Sequence, residues 1–332
     1  MGRRERHQRV GWRAVRGPAN AILLGTMDVT TAPDREAGGG RTEDARGSAA
    51  GFAGDPNVGL AGLVRDAWER RAELECGDPE ASELLEQVGD LLDRGNVRVA
   101  SWDARAGGEA EVQIWLKQAI LLMFKVFPAV RMQAGALEAF DRIRLKSDFG
   151  AIGVRAVPGA VARWGSYVGP GSVLMPSFVN IGAYVGAGSM VDTWATVGSC
   201  AQVGERVHLA GGVGIGGVLE PPQAAPVMIG DDVFVGSRSM ITQGARVGEG
   251  SVLGEGTLLN PSIPVIDAET GEELGRGEIP AWSVALQGQR RSRFGGGDFH
   301  LPCVLVVRKL EPDERHDKTA LESILREHGL VT

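Results

Sequence analysis

Reading every sixth residue from Val161 gives an unbroken apolar series: Val161, Tyr167, Val173, Val179, Val185, Val191, Val197, Val203, Leu209 and Ile215. After a gap of fourteen residues the series resumes at Ile229 and runs through Val235, Ile241, Val247, Leu253 and Leu259. At the background apolar frequency, so long a series arises by chance roughly once in a million. Small residues follow most of these positions, among them Gly186, Gly198, Gly204, Gly236 and Gly248, and others recur four places on, such as Ser189, Ala195 and Ser239. A period of six is the mark of a parallel β-helix, in which each unit forms one side of a triangular coil. The aliphatic residue is expected to point at the axis, and the small residue after it to turn the corner. Stacked coils then bury a core that no single coil could. The interruption contains VLEPPQAAPVM and is eight residues longer than one side. It predicts a loop leaving the prism over 219–227, stiffened by Pro221 and Pro222, and loops held on a rigid scaffold often carry function.

Other periods hold outside this region. Leu60, Leu63, Val64 and Trp68 fall at helical spacing, as do Leu84, Leu85, Val88, Leu91 and Leu92. NVRVA (96–100) reads as a short strand, and WLKQAILLMFKVF (115–127) as a buried helix stopped by Pro128. The chain therefore divides into a disordered extension (1–56), a mainly helical domain (57–157), the β-helix (158–262), and a C-terminal segment (263–332). That last segment holds a turn at ETGEE (269–273), a final side at IPAWSV (279–284), a strand over 302–310, and a short helix over 318–328. Residues 1–56 mix Arg, Gly, Ala and Asp without periodicity, too little apolar surface to offset the entropy of ordering.

Composition narrows the class. Glycine is abundant, at 49 of 332 residues, while aromatics make up only 5%, which suits a repeat architecture better than a bulky aromatic core. The net charge of −7 argues against nucleic acid as a partner. Three cysteines, Cys76, Cys200 and Cys303, lack CxxC spacing and read as reduced thiols of a cytoplasmic protein. No run of 18 apolar residues provides a membrane span.

The runs MVDTWATVGSCAQVG (190–204) and HLAGGVGIGGVLEP (208–221) closely resemble the tetrahydrodipicolinate N-succinyltransferase family. VLMPSFVNIGAYV (173–185), WERRAEL (68–74), WLKQAILLMF (115–124) and the ETGE turn do so as well, so the likeness runs from about residue 60 to the C-terminus. The resemblance implies a left-handed parallel β-helix with an α-helical N-terminal domain. It implies a homotrimer with active sites between neighbouring β-helices. It also implies succinyl-CoA as co-substrate, tetrahydrodipicolinate as acceptor, N-succinyl-2-amino-6-oxopimelate as product, and no metal.

Acyl transfer to an amine needs loss of a proton from the nucleophile, a polarised thioester carbonyl, and alignment. Asp192 stands where the chain usually places Gly or Ala, beside Thr193 and Trp194. The resemblance makes Asp192 the substrate-binding and catalytic carboxylate, with Trp194 next to the substrate. The plainer role of such an Asp is to accept local backbone N–H groups. Arg155, in GVRAVP, matches a substrate-contacting Arg of the family, and a guanidinium suits a dicarboxylate; alternatively it pairs with a surface acid. Glu220 opens the extruded loop as a second candidate catalytic carboxylate, or stands in solvent. Ser237, Arg238, Arg290, Arg291 and Arg293 are candidates for the CoA phosphates, or a solvated charge run. His208 sits just before a corner and reads as a structural or supporting residue. GVGIGG (212–217) reads as two corners of the coil rather than a phosphate loop. One departure stands out: in VGSRSMITQG (235–244) the family carries a Glu, a proposed partner of the Asp, where this chain has Met240. Met240 keeps open a hexapeptide acyltransferase acting on another amine or amino sugar. A non-catalytic trimeric scaffold is the other alternative, and it would need neither the polar point at Asp192–Trp194 nor the loop.

Overall fold

The computed structural model describes residues 57–103, 109–134 and 137–312. The extension expected to be disordered (1–56) and the terminal helix expected over 318–328 lie outside the described residues.

Three helices open the described chain: α1 (Asn57–Glu69), α2 (Pro79–Asp93) and α3 (Ile114–Val126). Asp78 caps α2, its Oδ1 accepting the Ala81 N–H at 2.9 Å, and Pro79 follows in the first turn, where its missing N–H costs nothing. α3 is apolar on most sides and ends at Phe127, ahead of Pro128. Trp115, Leu116, Ile120 and Met123 of α3 pack with Val64, Leu85, Val88 and Leu92 in one core. Of the strand expected over 96–100, only its end forms: Ala100–Ser101 pairs antiparallel with Glu111–Val112. A second hairpin, Val130–Ala134 against Leu137–Asp141, had no counterpart in the sequence pattern.

From Arg155 the chain winds into a three-sided parallel β-helix. Its first face stacks Arg155–Ala156, Val173–Leu174, Met190–Val191, His208–Leu209, Phe234–Val235 and Val252–Leu253. The second stacks Val161–Ala162, Phe178–Val179, Thr196–Val197, Gly214–Ile215, Met240–Ile241 and Leu258–Leu259. The third stacks Tyr167–Val168, Tyr184–Val185, Gln202–Val203, Met228–Ile229, Arg246–Val247 and Glu278–Ile279. The second residue of each pair points inward, and these residues form a single core from Ala162 to Ile279.

Two expectations from the periodicity are corrected. Inward positions in the first coils are Ala162, Val168 and Leu174, not Val161, Tyr167 and Val173. The side that ends at Val179 is one residue short, so Tyr184 pairs with Tyr167 seventeen residues back, whereas Gln202 pairs with Tyr184 eighteen back. The corner is also not made by the small residue directly after the aliphatic one. The left-handed turn falls three places after it, at Gly188 (φ 67°), Trp194 (φ 61°), Cys200 (φ 67°) and Arg206 (φ 53°). The small residues serve a different need, the close approach of one coil to the next.

Beyond the last coil, Glu278–Ile279 completes a third-face side as expected, and Ser283–Phe294 leaves the first face to pair with Gly297–Lys309 in a long antiparallel ribbon. The sequence showed only part of its second strand. The turn at the ETGEE region joins Pro264–Asp267 to Glu273–Arg276.

The helical layer packs on the edge between the second and third faces. Trp164, Ile181 and Cys200 enter its core there. The Trp164 indole donates to Asp90 Oδ1 at 3.1 Å, and the Gly165 N–H donates to Asp93 Oδ1 at 2.9 Å. The extruded loop leaves from this same edge, and a buried lysine holds it. Lys117 of α3 has no solvent exposure, yet its Nζ donates to the carbonyls of Ala224 (2.7 Å) and Pro221 (3.2 Å). Burial pushes its pKa down, and the two carbonyls keep the buried ammonium satisfied. Lys117→Met keeps the stem and orphans the Ala224 carbonyl, a penalty of about 1–3 kcal/mol, while the Pro221 carbonyl keeps the Ala224 N–H at 3.0 Å; the loss is partly offset because no ammonium is desolvated. We expect a net loss near 1–2 kcal/mol, read as a lower urea midpoint at unchanged slope, with faster amide exchange at 218–226. Unchanged exchange in the loop would show that the lysine does not hold it.

Candidate active site

The edge between the first and second faces is free of the helical layer, and the polar point lies there. Asp192, Thr193 and Trp194 form its third corner, and Ser237 and Arg238 form its fifth. The register is fixed by backbone bonds: Trp194 N–H donates to Pro176 O (2.7 Å), Gly212 N–H to Thr193 O (2.8 Å), Arg238 N–H to Gly211 O (3.0 Å), and Gly256 N–H to Ser237 O (2.9 Å). Trp194 and Arg238 thus share one column, two coils or about 10 Å apart.

Asp192 is held firmly. Its Oδ1 accepts the Thr193 N–H at 2.6 Å and the Thr193 hydroxyl at 3.2 Å, and its own N–H donates to Leu209 O at 2.9 Å. The Thr193 N–H is the first cause holding the carboxyl below its usual range; burial opposes it, and the Thr193 hydroxyl and His208 assist. Because the folded value is depressed, this group adds stability above the unfolded value, and that stability fades as pH falls through the folded one. Asp192 therefore performs the local capping role, but with Oδ1 alone. Oδ2 faces the next coil, 3.6 Å from Nε2 of His208. The sequence did not point to this contact.

His208 lies on the outer side of the first face, between Met190 and Phe234, with its ring edge-on to Phe234 (centroids 5.2 Å apart, planes at 90°). Arg155 occupies the same outer column, three coils or roughly 14 Å away. Arg155 is exposed and makes no ion pair with any described residue.

Trp194 holds left-handed backbone, a costly state for a bulky residue at about 1–3 kcal/mol, and its side chain is 77% exposed. No interaction among the described residues accounts for an indole there. Trp194→Gly should leave stability unchanged or raise it by up to about 1 kcal/mol, while weakening acceptor binding. A thermal melt and an acceptor titration check both halves.

The other candidates are dispersed. Glu220 is exposed on the extruded loop and lines an open cleft of about 370 Å³ with Gly217, Val218, Pro221, Ala224 and Gln243. That cleft is on the edge between the second and third faces, so one chain does not bring Glu220 to Asp192. Arg290 pairs with Glu273 at 3.1 Å, and Arg291 pairs with Asp298, which leaves Arg238 and Arg293 as the candidate cations without an ion pair among the described residues. Met240 lies half-exposed on the second face, its sulfur over Gly214 and occupying the space that a Cβ there would take. Among the described residues, Asp192 has two side-chain neighbours by hydrogen bond or ion pair, Thr193 of its own corner and His208. The three cysteines are free; Cys200 is fully buried, and burial pushes its thiol up to about 12.

A stacked hexapeptide prism with a carboxylate fixed at one bare edge is the architecture of a left-handed β-helix acyltransferase, and residues 226–261 match the model for the hexapeptide repeat of succinyl-transferase. Residues 60–126 match the model for the tetrahydrodipicolinate N-succinyltransferase N-terminal region. Three relatives bear the name 2,3,4,5-tetrahydropyridine-2,6-dicarboxylate N-succinyltransferase. The Ralstonia pickettii protein is 46% identical over 276 residues, 80% of this chain and 98% of its own. The Ralstonia nicotianae protein is 45% identical with the same coverage, and that of Delftia acidovorans is 44% identical over 81% of this chain and 98% of its own. The chain belongs to the tetrahydrodipicolinate N-succinyltransferase family. Among solved structures, a hexapeptide transferase family protein from Anaplasma phagocytophilum aligns at 17% identity with a TM-score of 0.34, covering 54% of this chain and 90% of that one; the fold rests on the strand pairing and not on this likeness.

Proposed function

We propose that the protein transfers succinyl from succinyl-CoA to the nitrogen of tetrahydrodipicolinate, giving N-succinyl-2-amino-6-oxopimelate and free CoA in the synthesis of diaminopimelate and lysine. The observation that carries this reading is family membership across almost the whole length of the relatives, joined to a fixed carboxylate on a bare edge. Water adds across the ring C=N, the nitrogen attacks the thioester carbonyl, and the C–S bond breaks. The ring opens as the hydrated carbon becomes a carbonyl.

Asp192 orients the acceptor and the water, with Trp194 as a flat wall beside it. Arg155 receives one carboxylate of the acceptor, for which an unpaired guanidinium is suited. Ser237 and Arg238, on the same edge as Asp192, serve the donor; Arg290 and Arg291 join them only by leaving their present acidic partners. Glu220 is the second carboxylate. Because it stands on another edge of the prism, its part requires a neighbouring chain, and a homotrimer with sites between prisms supplies one. A cytoplasmic location fits reduced cysteines and a CoA donor, and no described helix is long and apolar enough to cross a membrane.

The test is thiol release from succinyl-CoA with and without tetrahydrodipicolinate. Acceptor-dependent release supports the reading; release that ignores this acceptor overturns it and favours another amine. Light scattering tests the assembly, and a fully active monomer would exclude a site between chains.

A further inference from the structure

Nε2 of His208 is shut off from solvent and has no hydrogen-bond partner among the described residues. An orphaned buried nitrogen carries the full cost of its lost hydration, and native structures rarely keep one without a use. Its surroundings show what the use is. Oδ2 of Asp192 lies 3.6 Å away, just beyond hydrogen-bond reach, a gap typical of catalytic pairs that tighten only when substrate binds. The other oxygen of Asp192 is fixed by Thr193, so Oδ2 is the one aimed across the coils. The ring is clamped edge-on by Phe234, and the side chain keeps 30% exposure. With Nε2 sealed, the open side of the imidazole is the one carrying Nδ1. Oriented in this way, the imidazole has one nitrogen facing a carboxylate and the other facing solution, beside the edge that carries Trp194.

The reaction needs such a group. Asp192 is held in its ionised form by Thr193, which makes it a weak base near neutral pH. Met240 cannot carry a proton, and Glu220 is on another edge. We propose that His208 is the proton carrier of acyl transfer, with Asp192 holding Nε2–H and Nδ1 working on the substrates. As the acceptor nitrogen forms its bond to the succinyl carbonyl carbon, Nδ1 takes the N–H proton. When the tetrahedral intermediate collapses and the C–S bond breaks, the imidazolium returns that proton to the departing sulfur, and CoA leaves as the thiol. Asp192 stays ionised throughout and offsets the charge of the imidazolium. No oxidant or reductant enters, and the imidazole of His208 ends in the protonation state in which it began. The inference rests on the acyltransferase reading above.

The experiment measures steady-state thiol release with succinyl-CoA and tetrahydrodipicolinate for wild type, His208→Gln and His208→Gly, the last with and without added imidazole. Binding of succinyl-CoA by each variant reports whether the site is folded. We expect kcat to fall about 100-fold in both variants, with KM for succinyl-CoA within about threefold of wild type, and imidazole to restore part of the rate only in His208→Gly. A His208→Gln enzyme with at least half the wild-type kcat would overturn the proposal. So would a loss of rate without imidazole rescue in a His208→Gly enzyme that still binds succinyl-CoA, because that pattern marks a purely structural residue. If His208→Gln fails to bind succinyl-CoA, the decision passes to His208→Gly and its rescue. A wild-type enzyme with no acceptor-dependent release would overturn the functional reading, and the proton carrier with it, whereas an active wild type with an unaltered His208→Gln overturns the proton carrier alone.

Discussion

Asp192→Asn should lower acceptor-dependent thiol release by about 100-fold or more in a protein that still folds. The reason lies in the two ends of its carboxylate. Asn keeps an oxygen for the Thr193 N–H and hydroxyl, so the corner survives. It replaces Oδ2 with an uncharged group or an amide that donates, and either one removes the anion facing His208 and the acceptor. Succinyl-CoA binding should change little, because Arg238 lies two corners up the same edge. A variant that loses donor binding together with turnover would assign Asp192 to the architecture instead. The acid limb of stability offers an independent readout. Asp192 contributes stability above its unfolded pKa, lost as pH falls through its depressed folded value, so the Asn variant should lose less stability than wild type on acidification.

Asp192 was legible in the sequence because it stands in the middle coils, where Gly or Ala usually follows the inward aliphatic residue. The prism itself was legible from the same repeat. Its first coils were misread by one residue because Val161–Ala162, Tyr167–Val168 and Val173–Leu174 are all pairs of apolar residues. A series of apolar hits cannot show which member faces inward, and the short side before Val179 leaves no gap in the series. That register governs everything that depends on contact between coils. The approach of His208 to Asp192 is a neighbour relation across two strands, Met190–Val191 and His208–Leu209, and no spacing along the chain announces it. Lys117 stayed hidden for a different reason. A lysine in a largely apolar helix reads as the position that turns to solvent, and only the loop returning more than a hundred residues later supplies the two carbonyls that permit its burial. The ribbon was half seen because its first strand, Ser283–Phe294, is rich in Arg and Gln, and only long antiparallel pairing to the better-marked second strand makes it a strand.

Gly198→Ala should destabilise the protein by about 3 kcal/mol or more, far more than Gly256→Ala, although Gly256 is the one with left-handed backbone. At Gly256 (φ 70°) an added Cβ meets nothing within 4 Å, so the penalty is conformational strain alone, about 1–2 kcal/mol. At Gly198 a Cβ would sit 2.1 Å from the Gly217 nitrogen and 2.6 Å from the Gly216 carbonyl carbon. Those are backbone atoms, with no rotamer to swing aside. The coils there are tied by Gly198 N–H to Ile215 O at 2.8 Å and Val218 N–H to Ser199 O at 3.1 Å, so relief requires lifting one coil from the next and breaking these bonds. The strand that would lift is the one from which the extruded loop departs. The variant should therefore lose stability and disturb the cleft around Glu220 together, read by a lower urea midpoint and by faster exchange at 217–226. If Gly198→Ala proves no worse than Gly256→Ala, coil spacing is not set by backbone contact at the corners, and the small residues of the repeat need another explanation.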